Sequence, residues 1–135
     1  MIGGTSFTAD VSPERAEGTL LFRGYEDDCF LIGNDRYTHG LRFHHGELIT
    51  PWGPDRIRDL TVEDLAWLLE KPPEVLVIGT GRTTAFPDHS VMEMLSNAHI
   101  GFECMDSRAA ARTYNILMAE GRDVSAAMLL PNARN

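Results

Sequence analysis

The sequence predicts an α/β protein. Three observations predict it: a β-rich first half broken by turn residues, a second half that alternates helical and strand patterns, and a composition able to fill one core. Residues 1–58 are rich in glycine, aromatic and β-branched residues in short apolar stretches. Residues 60–131 run in a β-α-β-α-β rhythm, which implies a sheet covered by helices. The chain has 135 residues, 43% of them hydrophobic and 24% charged, so about two-thirds of its surface can be buried within one domain. Disordered, collagen-like and low-complexity classes are excluded, and no internal repeat or linker is visible. A single domain over 1–135 is expected.

In the first half, Thr19-Leu20-Leu21-Phe22 and Cys29-Phe30-Leu31-Ile32 read as strands, the second followed by the turn chemistry of Gly33-Asn34-Asp35. Tyr37 to Phe43 and Glu47 to Ile49 are further strands, and Trp52-Gly53-Pro54 closes this half. Antiparallel pairing is expected throughout. In the second half, Thr61 can cap a helix with apolar positions Val62, Leu65, Ala66 and Leu69, stopped by Pro72-Pro73. Val75-Leu76-Val77-Ile78 is apolar on both faces, as a central strand requires. Asp88 can cap a helix over 89–97 that packs through Val91, Met92 and Leu95. Ile100 to Met105 is the next strand. Asp106 or Ser107 caps a longer helix ended by Gly121, and Val124 to Leu130 is the last strand before Pro131.

Charge and cysteine narrow the function classes. There are 20 acidic and 12 basic residues, for a net charge of −8. That field repels nucleic acid and anionic lipid, so no nucleic-acid partner is expected. Lys71 is the only lysine among the basic residues. Cys29 and Cys104 are far apart, outside any CxxC, and read as small core hydrophobes. No apolar run reaches the length of a membrane span, about 18 residues. The start, Met1-Ile2-Gly3-Gly4-Thr5, shows no basic presequence region and does not fit the myristoylation pattern. A cytoplasmic protein that is not integral to a membrane is expected.

Three places could carry chemistry. In Gly79-Thr80-Gly81-Arg82 a buried strand runs into a glycine-rich turn at its carboxyl end, where ligands of open α/β sheets favour binding. Such a turn can gather N–H groups around a small anion or carboxylate, or can simply cross close to a neighbour. It is neither a P-loop, lacking GK[ST], nor a dinucleotide fingerprint, with Thr84 at the third glycine position. The second place is the long helix. At 100° per residue Ala109, Ala110, Thr113, Ile116 and Leu117 form an apolar arc expected to face the core, while Arg108, Arg112 and Asn115 form a polar ridge. Tyr114 fits the core and Asn115 a tie to a neighbouring loop. Glu120 projects onto the apolar arc, so a charge-assisted pair with Arg122 or Arg82 is expected. The third is histidine: His39, His44 and His45 cluster on one short strand. Adjacent strand residues point to opposite faces, so His44 and His45 are not expected to share an ion. No metal or cofactor is expected, and no nucleophile elbow or visible base supports catalysis. Trp67 falls near the polar side of its helix, as a protein-contact anchor or as packing against the first half.

Val77-Ile78-Gly79-Thr80-Gly81, Pro87, Ile100-Gly101-Phe102-Glu103-Cys104-Met105-Asp106, Arg112-Thr113-Tyr114-Asn115 and Glu120-Gly121-Arg122 together resemble the family known as domain of unknown function 498, or MTH 938-like. The resemblance covers 74–131 clearly and 18–58 weakly. Ser107 stands where the family usually has threonine, which keeps a hydroxyl. The resemblance implies a three-layer fold around a mixed sheet, with an additional antiparallel β layer from the N-terminal half. Its eukaryotic members include a mitochondrial respiratory-complex-I assembly factor, which implies a non-catalytic protein that binds other proteins, respiratory-complex components among them. It supplies no catalytic residue. The missing presequence points to a bacterial-type member. The rival expectation is a small-molecule protein or enzyme built on the Gly79–Arg82 turn.

Overall fold

The computed structural model describes residues 21–135. A small antiparallel sheet comes first, from β1 (Phe22–Glu26), β2 (Cys29–Ile32) and β3 (Asp35–Tyr37) in that order. β4 (Leu41–His44) and β5 (Glu47–Ile49) form a hairpin and leave this sheet for a second one. β6 (Val75–Gly79), α1 (His89–Asn97), β7 (Gly101–Met105), α2 (Ser107–Ala119) and β8 (Val124–Met128) complete the chain. The second sheet has the order β5-β4-β8-β6-β7, with β6 parallel to β7 and β8 and β4 antiparallel to β8. It is the mixed sheet expected.

The order of strands decides where the helices lie. The chain leaves β6 for β7 on one side and returns across β6 to β8 on the other. Right-handed crossovers in opposite directions place their helices on opposite faces. α2 therefore packs with Val75, Val77, Ala126 and Met128 on one face, through Ala110, Ala111 and Tyr114. α1 packs with Leu76, Ile78 and Ala127 on the other, through Val91 and Leu95. The small sheet joins the α2 face: Phe22, Phe30 and Ile32 complete that core. Its aromatic centre is tight, with Phe43 stacked on Tyr114 at 5.0 Å between ring centroids and Phe22 edge-on to both at 5.3 and 5.7 Å.

The helix expected after Thr61 is instead a 3₁₀ segment, Glu63–Leu68, and a shorter one, Ile57–Asp59, precedes Thr61. Thr61 and Asp64 still cap reciprocally: the Thr61 N–H donates to Asp64 Oδ2 at 2.9 Å and the Asp64 N–H to Thr61 Oγ1 at 3.3 Å. With three residues per turn, side chains three apart eclipse. Leu65 and Leu68 are buried together, and Leu69, placed inward by α-helical spacing, is 46% exposed. Tyr37–Phe43 is split into β3 and the start of β4 at Gly40, whose carbonyl accepts the Trp52 N–H and the Thr50 hydroxyl. A Cβ at Gly40 would run into the Trp52 carbonyl oxygen. The first strand begins at Phe22 and runs to Glu26; Thr19 and Leu20 lie outside the described residues. The last strand stops at Met128, short of Leu130. Both cysteines are free; Cys29 is buried, and Cys104 packs partly buried against the second core.

Phe43 touches both the small sheet and α2. Phe43→Ala should therefore lower the unfolding free energy by about 3–5 kcal/mol, read from urea denaturation; a loss near zero would mean that the aromatic centre is not packed as described.

Candidate functional site

The bend after β6 is closed by hydrogen bonds within the chain. The Thr80 N–H donates to the Met105 carbonyl at 2.9 Å, and the Arg82 N–H to the Ala133 carbonyl at 2.9 Å. The Gly81 N–H donates to Ser107 Oγ at 2.9 Å, and the Ser107 hydroxyl donates onward to the Leu129 carbonyl at 2.6 Å. The buried Thr80 hydroxyl lies 2.7 Å from the Thr83 carbonyl and accepts the Ala85 N–H at 3.2 Å. Gly81 has φ 106, and a Cβ there would meet the Ala133 carbonyl oxygen. A Cβ at Gly79 would lie 2.9 Å from Ser107 Oγ and 2.8 Å from the Met128 side chain. These glycines serve close approach of chain to chain.

The polar ridge of α2 faces β1. The Asn115 side-chain amide pairs with the Phe22 backbone in both directions, accepting its N–H at 2.9 Å and donating to its carbonyl at 2.7 Å. Arg112 Nη1 donates to the Tyr25 hydroxyl at 2.6 Å, and Arg108 forms an ion pair with Asp27. A shallow cavity of about 390 Å³ lies here between Tyr25 and Arg112. Thr113 is half-buried, its hydroxyl 3.2 Å from the Met105 sulfur. Tyr114 fills the core, and burial raises its phenol well above the ordinary range.

Two expectations about α2 are corrected. Its inward arc runs through Ser107, Ala110, Ala111 and Tyr114, and Ile116 is 58% exposed. The helix is rotated by about one residue because the large Tyr114 ring takes the centre of the contact. Glu120 is exposed at the helix end, and no arginine among the described residues bonds to it. Arg122 pairs instead with Glu74, its Nη2 2.7 Å and Nε 3.1 Å from Glu74 Oε2. The Glu74 carboxyl is lowered and the Arg122 guanidinium raised by that bond. The turn back to β8 carries Arg122 past the start of β6, and the Glu120 carboxylate reaches water at the frayed end without burial. The candidates thus fall in three places: Gly79, Thr80, Gly81 and Arg82 at the bend; Arg108, Arg112, Thr113, Tyr114 and Asn115 along α2; Glu120 and Arg122 at its end.

His44 and His45 do not lie on opposite faces. His45 has φ 47, within the tight His45-Gly46 turn, so strand alternation no longer applies, and the two rings meet edge to face at 4.2 Å. His44 Nδ1 is 2.7 Å from the Ser125 hydroxyl, and His45 Nε2 is 2.9 Å from the Lys71 carbonyl. His44 also packs against Trp67 at 5.1 Å, which answers the question of Trp67: it covers β4. Burial first, then His45 and Arg42, pushes the His44 imidazole down to about 4. Cys104 is pushed up to about 11 by burial, as an inert thiol requires. The sequence marks Ser107 only as a cap; its role as a clamp, and the pairing of His44 with Ser125, come from tertiary contacts that spacing along the chain does not encode.

An α/β scaffold with its glycine-rich bend and polar helix face tied into its own structure is the class of protein these features define. Comparison with known proteins bears on the fold and the family. A Bordetella pertussis protein whose solution structure is described as a Mth938-like domain is 29% identical, with a TM-score of 0.73 over 92% of each chain. The family described as "Protein of unknown function (DUF498/DUF598)" matches residues 22–129, and the chain belongs to it. The zebrafish (Danio rerio) protein named NADH dehydrogenase [ubiquinone] 1 alpha subcomplex assembly factor 3 is 38% identical over 63% of this chain and 50% of its own length. The chain thus spans about half of that relative. The Francisella tularensis protein named 13 kDa major membrane protein is 26% identical over 83% of this chain and 92% of its own. No helix among the described residues is long and apolar enough to cross a membrane.

Ser107→Ala leaves the Gly81 N–H and the Leu129 carbonyl buried without their partner, and should cost about 2–4 kcal/mol in urea unfolding. A second test uses pH. The unfolded chain protonates His44 near 6.5, whereas the folded protein resists until about 4. Stability contributed by the neutral ring is therefore complete above 6.5 and lost as pH falls toward 4. Unfolding free energy measured across that window should fall less steeply in His44→Gln than in the parent.

Proposed function

We propose that this chain is a non-catalytic protein that binds other proteins, in the sense that its relatives' name, assembly factor, conveys. One observation carries the reading most: the bend where an open α/β sheet would take a ligand has its Thr80, Gly81 and Arg82 N–H groups bonded within the chain. A competing anion or carboxylate at Gly79–Arg82 would have to displace Met105, Ser107 and Ala133 from those donors. Exposed apolar side chains supply material for contact with a partner instead. Phe86 is 65% exposed in the loop after the bend, and Ile116 and Leu69 stand out elsewhere on the surface. Residues 1–135 act as one domain in this reading, in the cytoplasm of a bacterial cell, with respiratory-complex components among the partners. No metal or cofactor enters the role.

The test is affinity capture of the tagged full chain after cross-linking in native lysate, with membranes included. The expected outcome is a stoichiometric partner retained at high salt and lost in Phe86→Asp or Ile116→Asp. Recovery of abundant bystanders alone, unchanged by both substitutions, overturns the reading.

A further inference from the structure

β4 alternates its side chains between two very different surroundings. Leu41 and Phe43 enter the core beneath α2, while Arg42 and His44 face the side covered by the Glu63–Leu68 segment. There a cleft of about 500 Å³ opens between β4, β5 and the stretch around Lys71. That volume lies within the range of small-molecule sites, about 300–1,000 Å³. The Arg42 guanidinium lies over the Trp67 ring, its central carbon 4.6 Å from the ring centroid. Its Nε is buried away from solvent and has no hydrogen-bond partner among the described residues. Every other arginine with a side-chain bond described above has an oxygen acceptor: Asp27 for Arg108, Tyr25 for Arg112, Glu74 for Arg122. Arg42 thus sets a planar fork of donors against an aromatic face, with no acceptor among the described residues for its buried Nε.

His44 stands two residues along on the same face of β4. The register that sets Phe43 opposite Ala126 sets His44 beside the buried Ser125 hydroxyl. That hydroxyl has His44 Nδ1 as its one described partner; in the tautomer that gives its buried proton an acceptor, Ser125 donates to Nδ1 and the neutral ring carries its proton on Nε2. A second donor thus lines the cleft beside Arg42. The formal charges there are two positive, Arg42 and Lys71, and two negative, Glu47 and Glu70. A dianion would meet both rim carboxylates; a planar monoanion matches one fork and adds one charge.

We propose that this cleft is a binding site for a small monocarboxylate, whose two oxygens take the Arg42 fork, with the His44 imidazole as a further donor. It is separate from the Gly79–Arg82 bend, and does not depend on the protein-binding role proposed above. An arginine–carboxylate pair of this kind combines charge with bidentate geometry.

Titration of the full chain with acetate and with benzoate, followed by NMR at the Arg42 Nε–H, Trp67 Nε1–H and His44 ring signals, tests it. Saturable shifts at millimolar carboxylate are expected at these signals together. Affinity should fall about tenfold or more in Arg42→Met, and similarly in Arg42→Lys, which keeps the charge and loses the fork. The two variants guard against a folding failure in either, checked by the dispersion of the amide spectrum. Absence of saturable shifts with both acids overturns the proposal, as does undiminished binding in a folded Arg42 variant. Tighter binding of inorganic phosphate than of acetate overturns the monocarboxylate assignment. A response to an acidic peptide without one to the free acids reassigns the cleft to a protein side chain and overturns it equally.

Discussion

One buried hydroxyl joins four pieces of the chain. Ser107 Oγ takes the Gly81 N–H from the bend after β6 and gives its proton to the Leu129 carbonyl just past β8, while its own N–H donates to the Gly81 carbonyl at 2.8 Å. Ser107 is also the first residue of α2, directly after β7. The carboxyl ends of the three parallel strands and the start of a helix therefore meet at a single side chain. A backbone group left unpaired in such a place costs about 1–3 kcal/mol, so the geometry tolerates little slack. Two glycines flank the hydroxyl because a Cβ on either would fall on Ser107, Met128 or Ala133. The motif that looks like a phosphate cradle in the sequence is the space this clamp requires.

From that clamp the rest of the α2 face follows. Asp106 caps the helix by accepting the Ala109 N–H, which fixes the helix start, and the clamp fixes its height above the sheet. Tyr114, two turns on, then reaches Phe43 of β4, and Asn115 reaches the backbone of β1. The small sheet has few residues of its own with which to make a core. It is held by Phe22, Phe30 and Ile32 against α2 and β4, and by the Asn115, Arg112 and Arg108 contacts along its edge. The polar residues at mid-helix, costly by propensity, are spent on docking that sheet.

Much of this was legible in the sequence, and the failures share a cause. α1 spans the expected 89–97 because a cap at Asp88 and a regular apolar spacing both mark it. β6 stands in the middle of the sheet, as its unbroken apolar run implies. The three-layer mixed sheet with an extra antiparallel layer came from the family resemblance, and is the fold observed. What misled was any step that assumed regular geometry: an α-helical period where a 3₁₀ segment runs, strand alternation at His45 where the backbone has turned left-handed, an arc on α2 drawn without the bulk of Tyr114. The Glu120 expectation failed because it assumed burial on the apolar arc, whereas the rotated helix leaves Glu120 exposed at its end and Arg122 pairs with Glu74, 48 residues away. Residues such as Arg42 and Ser125 carry no local signature at all; strand register alone decides what they touch.

The two faces of the central sheet have unequal tasks, and this bears on where function can sit. In an open α/β sheet the crevice at the carboxyl ends, where successive crossovers diverge, is the habitual ligand site. In this chain that crevice lies at Gly79, and Ser107 together with the segment ending at Ala133 fills it. The α2 face is closed as well, by the small sheet. Among the described residues, the margin where β4 and β5 extend past the helices is left partly uncovered, and only 3₁₀ turns lie across it. A strand at such a margin can place core side chains on one face and charged ones on the other without breaking its pairing. Arg42 and His44 hold those outward positions. A fold that fills the crevice at the carboxyl ends of its parallel strands thus keeps, toward the β5–β4 edge of the same sheet, a place where a buried unpaired guanidinium nitrogen stands beside an aromatic wall.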